Sequence, residues 1–89
     1  MTNVHEAITA HSKKQHQLIK EFVLLEQERE RAIEEVVATC ERQEPFSTDR
    51  INQVTAKMNE LAKKGIVPQR RFVTKEMVEE YVSRKNAQA

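Results

Sequence analysis

Glycine and proline are nearly missing from this chain: Gly65 is the one glycine, and Pro45 and Pro68 are the two prolines. A single glycine excludes a glycine-rich phosphate loop, which needs several such positions for backbone N–H groups to approach a phosphate. Neither a serine-centred elbow nor a His-Glu-x-x-His pair is present, so the recognisable hydrolase and metalloprotease arrangements are absent. Tryptophan is missing, and the aromatics are Phe22, Phe46, Phe72 and Tyr81. The core must therefore come from Leu, Ile, Val and Met. A chain of 89 residues buries only about 60–65% of the surface its unfolded form exposes. Modest burial of that kind favours self-association or a partner.

One cysteine, Cys40, excludes an internal disulfide framework and fits a reducing compartment. The longest unbroken apolar run is Phe22-Val23-Leu24-Leu25, far below the ~20 residues that span a bilayer. The start of the chain has no basic segment followed by an apolar run, so no signal peptide is expected. The expected location is cytoplasmic, with no membrane partner. Charge of one sign is lacking too, with 15 basic residues against 14 acidic. The halves differ, however: residues 1–45 carry a net −3 and residues 46–89 a net +4.

What the chain does have is helical periodicity. Residues 3–43 contain no glycine or proline. At 100° per residue, Val4, Ala7, Ile8, Leu18, Ile19, Phe22, Leu25, Ala32, Ile33, Val36, Val37 and Cys40 share one stripe. Its phase survives from Val4 to Cys40, which predicts one helix over about 3–42, roughly 60 Å long. Four polar residues, His11, Gln15, Glu26 and Arg29, interrupt the stripe. The wholly polar segment Glu26–Arg31 is where a kink would fall, and it is expected to cross a solvated stretch or flank a partner.

Pro45 suits a terminator. Ser47 then reads as the N-cap of a second helix over about 48–64, with Phe46 and Ile51 at the spacing of a hydrophobic staple. Ile51, Val54, Met58, Leu61 and Ala62 give it a narrow apolar face. Lys63 and Lys64 complement its C-terminal dipole, Gly65 suits the left-handed position beyond it, and Ile66 is placed to pack back on Leu61. Residues 66–73 read as an extended connector, since Pro68 disfavours helix at Val67. Thr74 caps a third helix over about 75–85, with Val73 and Val78 as a second staple and Met77, Val78, Tyr81 and Val82 as its apolar face. The expectation is a single all-α domain over 1–89, a helical bundle with no tandem repeat.

Candidate chemistry is sparse. His5, His11 and His16 lie six and five residues apart, whereas helical metal pairs need three or four. Cys40 sits near a helix C-terminus, whose negative end disfavours a reactive thiolate, and reads as a packed small hydrophobe. No Glu-x-x-His motif accompanies the many glutamates of the first helix, which read as a solvated face. Arg29 and Arg31 are assigned to ordinary intrahelical pairs. No catalytic residue, metal, cofactor or small-molecule substrate is expected, and the chain is read as a non-enzyme.

The second and third helices, about 25 and 17 Å long, do not each cover a 60 Å stripe. The first helix therefore overhangs its own bundle or meets another subunit, and a homodimer is expected. Val4, Ile8, Leu18, Phe22, Leu25, Ile33 and Val36 would line this packing or interface surface. The leading function is a helical protein–protein interaction or oligomerisation module. The alternative is a nucleic-acid-binding module using the basic region around Lys63, Lys64, Arg70, Arg71 and Lys75. About nine residues separate the helices there, too many for a helix-turn-helix, and Phe72 is the one aromatic in the basic stretch.

Two stretches carry a resemblance: Met-Thr-Asn-Val-His-Glu-Ala-Ile-Thr-Ala-His at the start, and Gly65 to Val82, Gly-Ile-Val-Pro-Gln-Arg-Arg-Phe-Val-Thr-Lys-Glu-Met-Val-Glu-Glu-Tyr-Val. They are similar to a family of small proteins of unknown function from bacillus-type bacteria. The resemblance agrees with the cytosolic reading and carries over no catalytic or binding residue.

Overall fold

A computed structural model describes residues 2–65 and 67–88, with side chains described over 13–65 and 67–87. Three helices follow one another: α1 (Thr2–Glu41), α2 (Asp49–Ala62) and α3 (Lys75–Gln88), with no strand among the described residues. The all-α expectation holds, and α1 runs through Glu26–Arg31 as one element.

The end of α1 shows why a helix this long stops. Gln43 takes a positive φ of 59°. Its N–H donates to the Cys40 carbonyl (2.9 Å), and the Glu44 N–H donates to the Thr39 carbonyl (3.2 Å). This pair of bonds is the Schellman arrangement, built on glutamine where glycine is usual. Pro45 then prevents any continuation.

The start of α2 falls one residue later than the sequence reading placed it. Thr48 is the N-cap residue and makes no side-chain cap bond. The Ser47 hydroxyl instead accepts from the Asp49 N–H at 3.1 Å, and the shift takes Phe46 out of the staple position. Ala62 ends α2 two residues early, with Lys63 as C-cap, and Gly65 has the expected left-handed φ of 91°. Ile66, expected to pack on Leu61, lies outside the described residues. Thr74 caps α3 as expected, its hydroxyl accepting from the Met77 N–H at 3.2 Å. α3 runs three residues further than expected, to Gln88.

α2 lies antiparallel to α1: Arg50 pairs with Glu28 at one end, and Met58 packs with Phe22 at the other. Ile51, Val54, Thr55 and Met58 form the buried face of α2, against Leu18, Phe22 and Ala32 of α1. Leu25, Leu61 and Val67 close the edges of the Phe22–Val54–Met58 cluster. α3 packs on α1 alone, and no α2–α3 contact occurs among the described residues. Its buried ridge is narrower than expected. Val78 and Val82 are buried, while Met77 and Tyr81 are exposed. Tyr81 lines a groove with Ile33 and Val37, and Lys85 donates to Glu41 at 2.9 Å, so α3 runs parallel to the end of α1. That bond raises the Lys85 pKa.

The molecule measures 63 × 25 × 16 Å, and its Cα radius of gyration is 18.1 Å. A compact chain of this length would have about 12 Å. The elongation comes from α1, whose 40 residues outrun the 14 of α2 and the 14 of α3.

Candidate functional site

Two of the polar residues inside the α1 stripe, Glu26 and Arg29, face inward, onto the connector between α2 and α3. Arg29 joins three segments at once. Its Nε donates to the Thr55 hydroxyl at 2.8 Å and its Nη2 donates to the Arg71 carbonyl at 2.9 Å. Thr55 is fully buried, and its own proton goes to the Ile51 carbonyl at 2.8 Å. The hydroxyl is thus satisfied as donor and acceptor, which a buried polar group requires. Burial, then the nearby Arg70 charge, lowers the Arg29 pKa, and Glu26 opposes them. The guanidinium stays charged, because its starting pKa is far above neutrality. One turn earlier, Glu26 accepts from Arg70 at 2.5 Å, and the Arg70 guanidinium lies 5.5 Å from the centre of the Phe22 ring. The expected intrahelical role for Arg29 is therefore corrected. Its bonds are tertiary, because the connector places carbonyls within its reach.

Two asparagines of α2 hold the same connector. The Asn59 carboxamide accepts from the Arg70 N–H at 2.8 Å and donates to the Arg70 carbonyl at 3.1 Å. Asn52 does the same with Val73, at 2.7 and 2.9 Å. Seven residues of helix rise about 10.5 Å. Three residues of a polyproline-type extended chain rise about 9.3 Å and return to the same side. Asn52 and Asn59 therefore share one face of α2 at a spacing that meets every third connector residue. A carboxamide suits this task because its acceptor and donor match the N–H and C=O of one extended residue. Sequence reading missed both asparagines. Their seven-residue spacing is the only signal that could have found them.

Of the basic cluster, Arg70 is turned inward to Glu26 and Phe22, and Lys63 pairs with Glu60 at 3.0 Å. Lys75 lies 5.8 Å from the Phe46 ring centre. Lys64 and the Arg71 side chain are exposed.

Of the residues expected to line the α1 surface, Leu18 and Phe22 are buried in the chain's own core and Leu25 packs at its edge. Ile33 and Val36 are half-buried, and the side chains of Val4 and Ile8 lie outside the described residues, as do those of His5 and His11. His16 is exposed and Cys40 is a half-buried free thiol. Among the described residues no group of three His, Cys, Asp or Glu is placed to hold a metal ion. No described helix is long and apolar enough to cross a membrane. The surface grooves, such as that lined by Leu24, Glu28, Arg31, Ala32, Glu35 and Arg50, are open and charged.

A long helix, a short antiparallel helix and a clamped connector define a small three-helix protein whose polar network holds its own fold. The model of a family described as "Protein of unknown function (DUF2533)" matches residues 2–84, and the chain belongs to that family. It is similar to the protein YpbS of Bacillus subtilis (strain 168), described as uncharacterized. The two are 64% identical over 84 residues, which cover 94% of this chain and 99% of that protein. No solved structure matches the chain. The bacillus-type resemblance read from the sequence is thereby shown.

Proposed function

We propose that this protein is a non-enzymatic helical interaction module that self-associates through α1 as a homodimer and works in the cytoplasm. The observation that carries this reading is the length of α1. Its 40 residues extend about 60 Å, whereas α2 and α3 have 14 residues each, about 21 Å apiece. The apolar spacing of the sequence nevertheless continues through Val4, Ala7 and Ile8. An apolar stripe longer than the helices available to cover it favours a second protein surface. The single free cysteine supports the cytoplasmic assignment.

The test is molar mass by light scattering after size-exclusion chromatography, over a concentration series. A dimer is expected. Ile8→Asp should shift it toward monomer with helix content retained, since Ile8 continues the apolar stripe of the sequence fourteen residues before the core residue Phe22. Leu18 and Phe22 are unsuitable probes, because they fill the chain's own core. A wild-type monomer at every concentration refutes self-association.

A further inference from the structure

A furrow runs along the second half of α1 and ends beside α3. Its first stretch is lined by Val23, Glu26, Glu30 and Ile33, and its second by Ile33, Glu34, Val37 and Tyr81. Ile33 belongs to both, so the furrow is continuous from Val23 to Glu41, about 27 Å of helix. Its floor is apolar and its rim is acidic. Among the described residues Glu30 and Glu34 have no ion-pair partner, while Glu26 accepts from Arg70 and Glu41 from Lys85. Tyr81 stands at the wall with 56% of its surface exposed.

The first half of α1 has the complementary properties. Residues 2–20 hold three lysines and one glutamate, while residues 21–41 hold seven glutamates and two arginines. Lys13 and Lys20 are exposed and have no ion-pair partner among the described residues. Ile19 and Val23, 47% and 42% exposed, lead from this basic stretch into the furrow. Residues 2–20 extend about 28 Å, which matches the furrow's length. At 100° per residue, Ile8, Ile19, Val23, Glu30, Ile33 and Val37 lie within a sector of about 80°. The furrow therefore continues the face that carries the apolar stripe.

We infer that the furrow seats the basic first half of α1 from a second copy, the two copies exchanging these stretches about a two-fold axis near Val23. This deepens the self-association reading and rests on it, since the stripe that outruns its companions is the part exchanged. In that antiparallel register Lys13 comes level with Ile33, beside Glu34 of the other copy, and Lys20 comes within a turn of the other copy's Glu30. Helical side chains lean toward their own N-terminus, so in an antiparallel pair each lysine leans toward its glutamate. All four residues lie on one flank of the sector, and a two-fold antiparallel pair sets like flank against like flank. A parallel pair would set lysine against lysine. Ile19, Val23 and Tyr81, exposed in one chain, supply apolar contact, and the charges set direction and register.

Tyr81 is the one tyrosine and there is no tryptophan, so intrinsic fluorescence reports on the furrow wall alone. Acrylamide quenching of Tyr81 should fall as protein concentration rises through the dimerisation range. Lys13→Glu with Lys20→Glu, and separately Glu30→Lys with Glu34→Lys, should each weaken the dimer by about tenfold or more, with circular dichroism as the check on folding. Mixing the two variants should give a heterodimer, since every facing pair is then complementary. A dimer whose Tyr81 quenching never changes, or one indifferent to both reversals, overturns the furrow as the seat while self-association stands. Failure of the two variants to pair with each other overturns the register. A wild-type monomer at every concentration overturns the self-association reading and this inference with it, and leaves the furrow to a basic helix of another protein.

Discussion

Removing the carboxamides of Asn52 and Asn59 should loosen the connector and, with it, α3. Each asparagine makes two hydrogen bonds to the backbone of one residue, Val73 or Arg70. A net hydrogen bond contributes about 0.5–1.5 kcal/mol, so each asparagine contributes about 1–3 kcal/mol. Both sites are part-buried, and water can reach the freed backbone groups, which favours the lower end, about 1–2 kcal/mol each. A chain of this length has roughly 4–13 kcal/mol in total. Each alanine variant should therefore lower the thermal midpoint by about 5–15 °C, followed by helix ellipticity. The double variant should cost less than the sum, because both asparagines hold one segment and losing either already frees part of it. Hydrogen exchange gives the direct readout, since the amides of Arg70 and Val73 should lose protection in the matching variant. Asn52→Asp should show the donor's share alone: it still accepts from Val73 N–H but presents a repelling oxygen to the Val73 carbonyl. Its deficit should shrink as pH falls through its carboxyl pKa, unperturbed value about 3.9, where the protonated acid donates again. Unchanged midpoints and unchanged amide protection in both alanine variants would refute the clamp.

Arg29→Met keeps the stem and removes both charge-assisted donors, while relieving the cost of a partly buried cation. A net loss of about 1–3 kcal/mol is expected in urea unfolding. Arg29→Lys should not restore it, because an ammonium does not offer the forked donors that reach Thr55 and Arg71 together; full restoration would deny the bridging role. Gln43→Gly should stabilise the chain by about 0.5–1 kcal/mol, because glycine adopts the positive φ of this helix end without steric cost. A lower thermal midpoint in that variant would contradict the Schellman ending of α1.

The helices themselves were legible because their signals are local. The phase of apolar residues from Val4 to Cys40 marks α1, Pro45 marks its stop, and Thr74 marks the start of α3. Errors fell where one residue competes with its neighbour. Ser47 and Thr48 both offer a hydroxyl, and the backbone chose Thr48 as the cap while using the Ser47 oxygen one position earlier. Met77 and Tyr81 read as apolar face from spacing alone, but α3 meets only one helix and buries only the Val78–Val82 ridge. The site was much less legible. Glu26 and Arg29 looked like solvated interruptions of the stripe, and Asn52 and Asn59 fall outside the narrow apolar face assigned to α2. Their partners are backbone atoms of the connector, and a backbone N–H or C=O leaves no mark in the sequence that says who will bind it.

By itself, the sequence determined the helix count and the length disparity between α1 and its companions. Those properties follow from residue spacing and from the conformational limits of proline, glycine and capping hydroxyls, which act within a few residues. Only the tertiary structure decided that Leu18 and Phe22 belong to the chain's own core and that Arg70 turns inward to Glu26. It also decided that the stretch from Arg70 to Val73 is held by two asparagines. Such contacts join residues up to 44 positions apart, as in the Arg70–Glu26 pair. They form only once α2 has folded back along α1 and the two helices present a shared wall to the chain that follows.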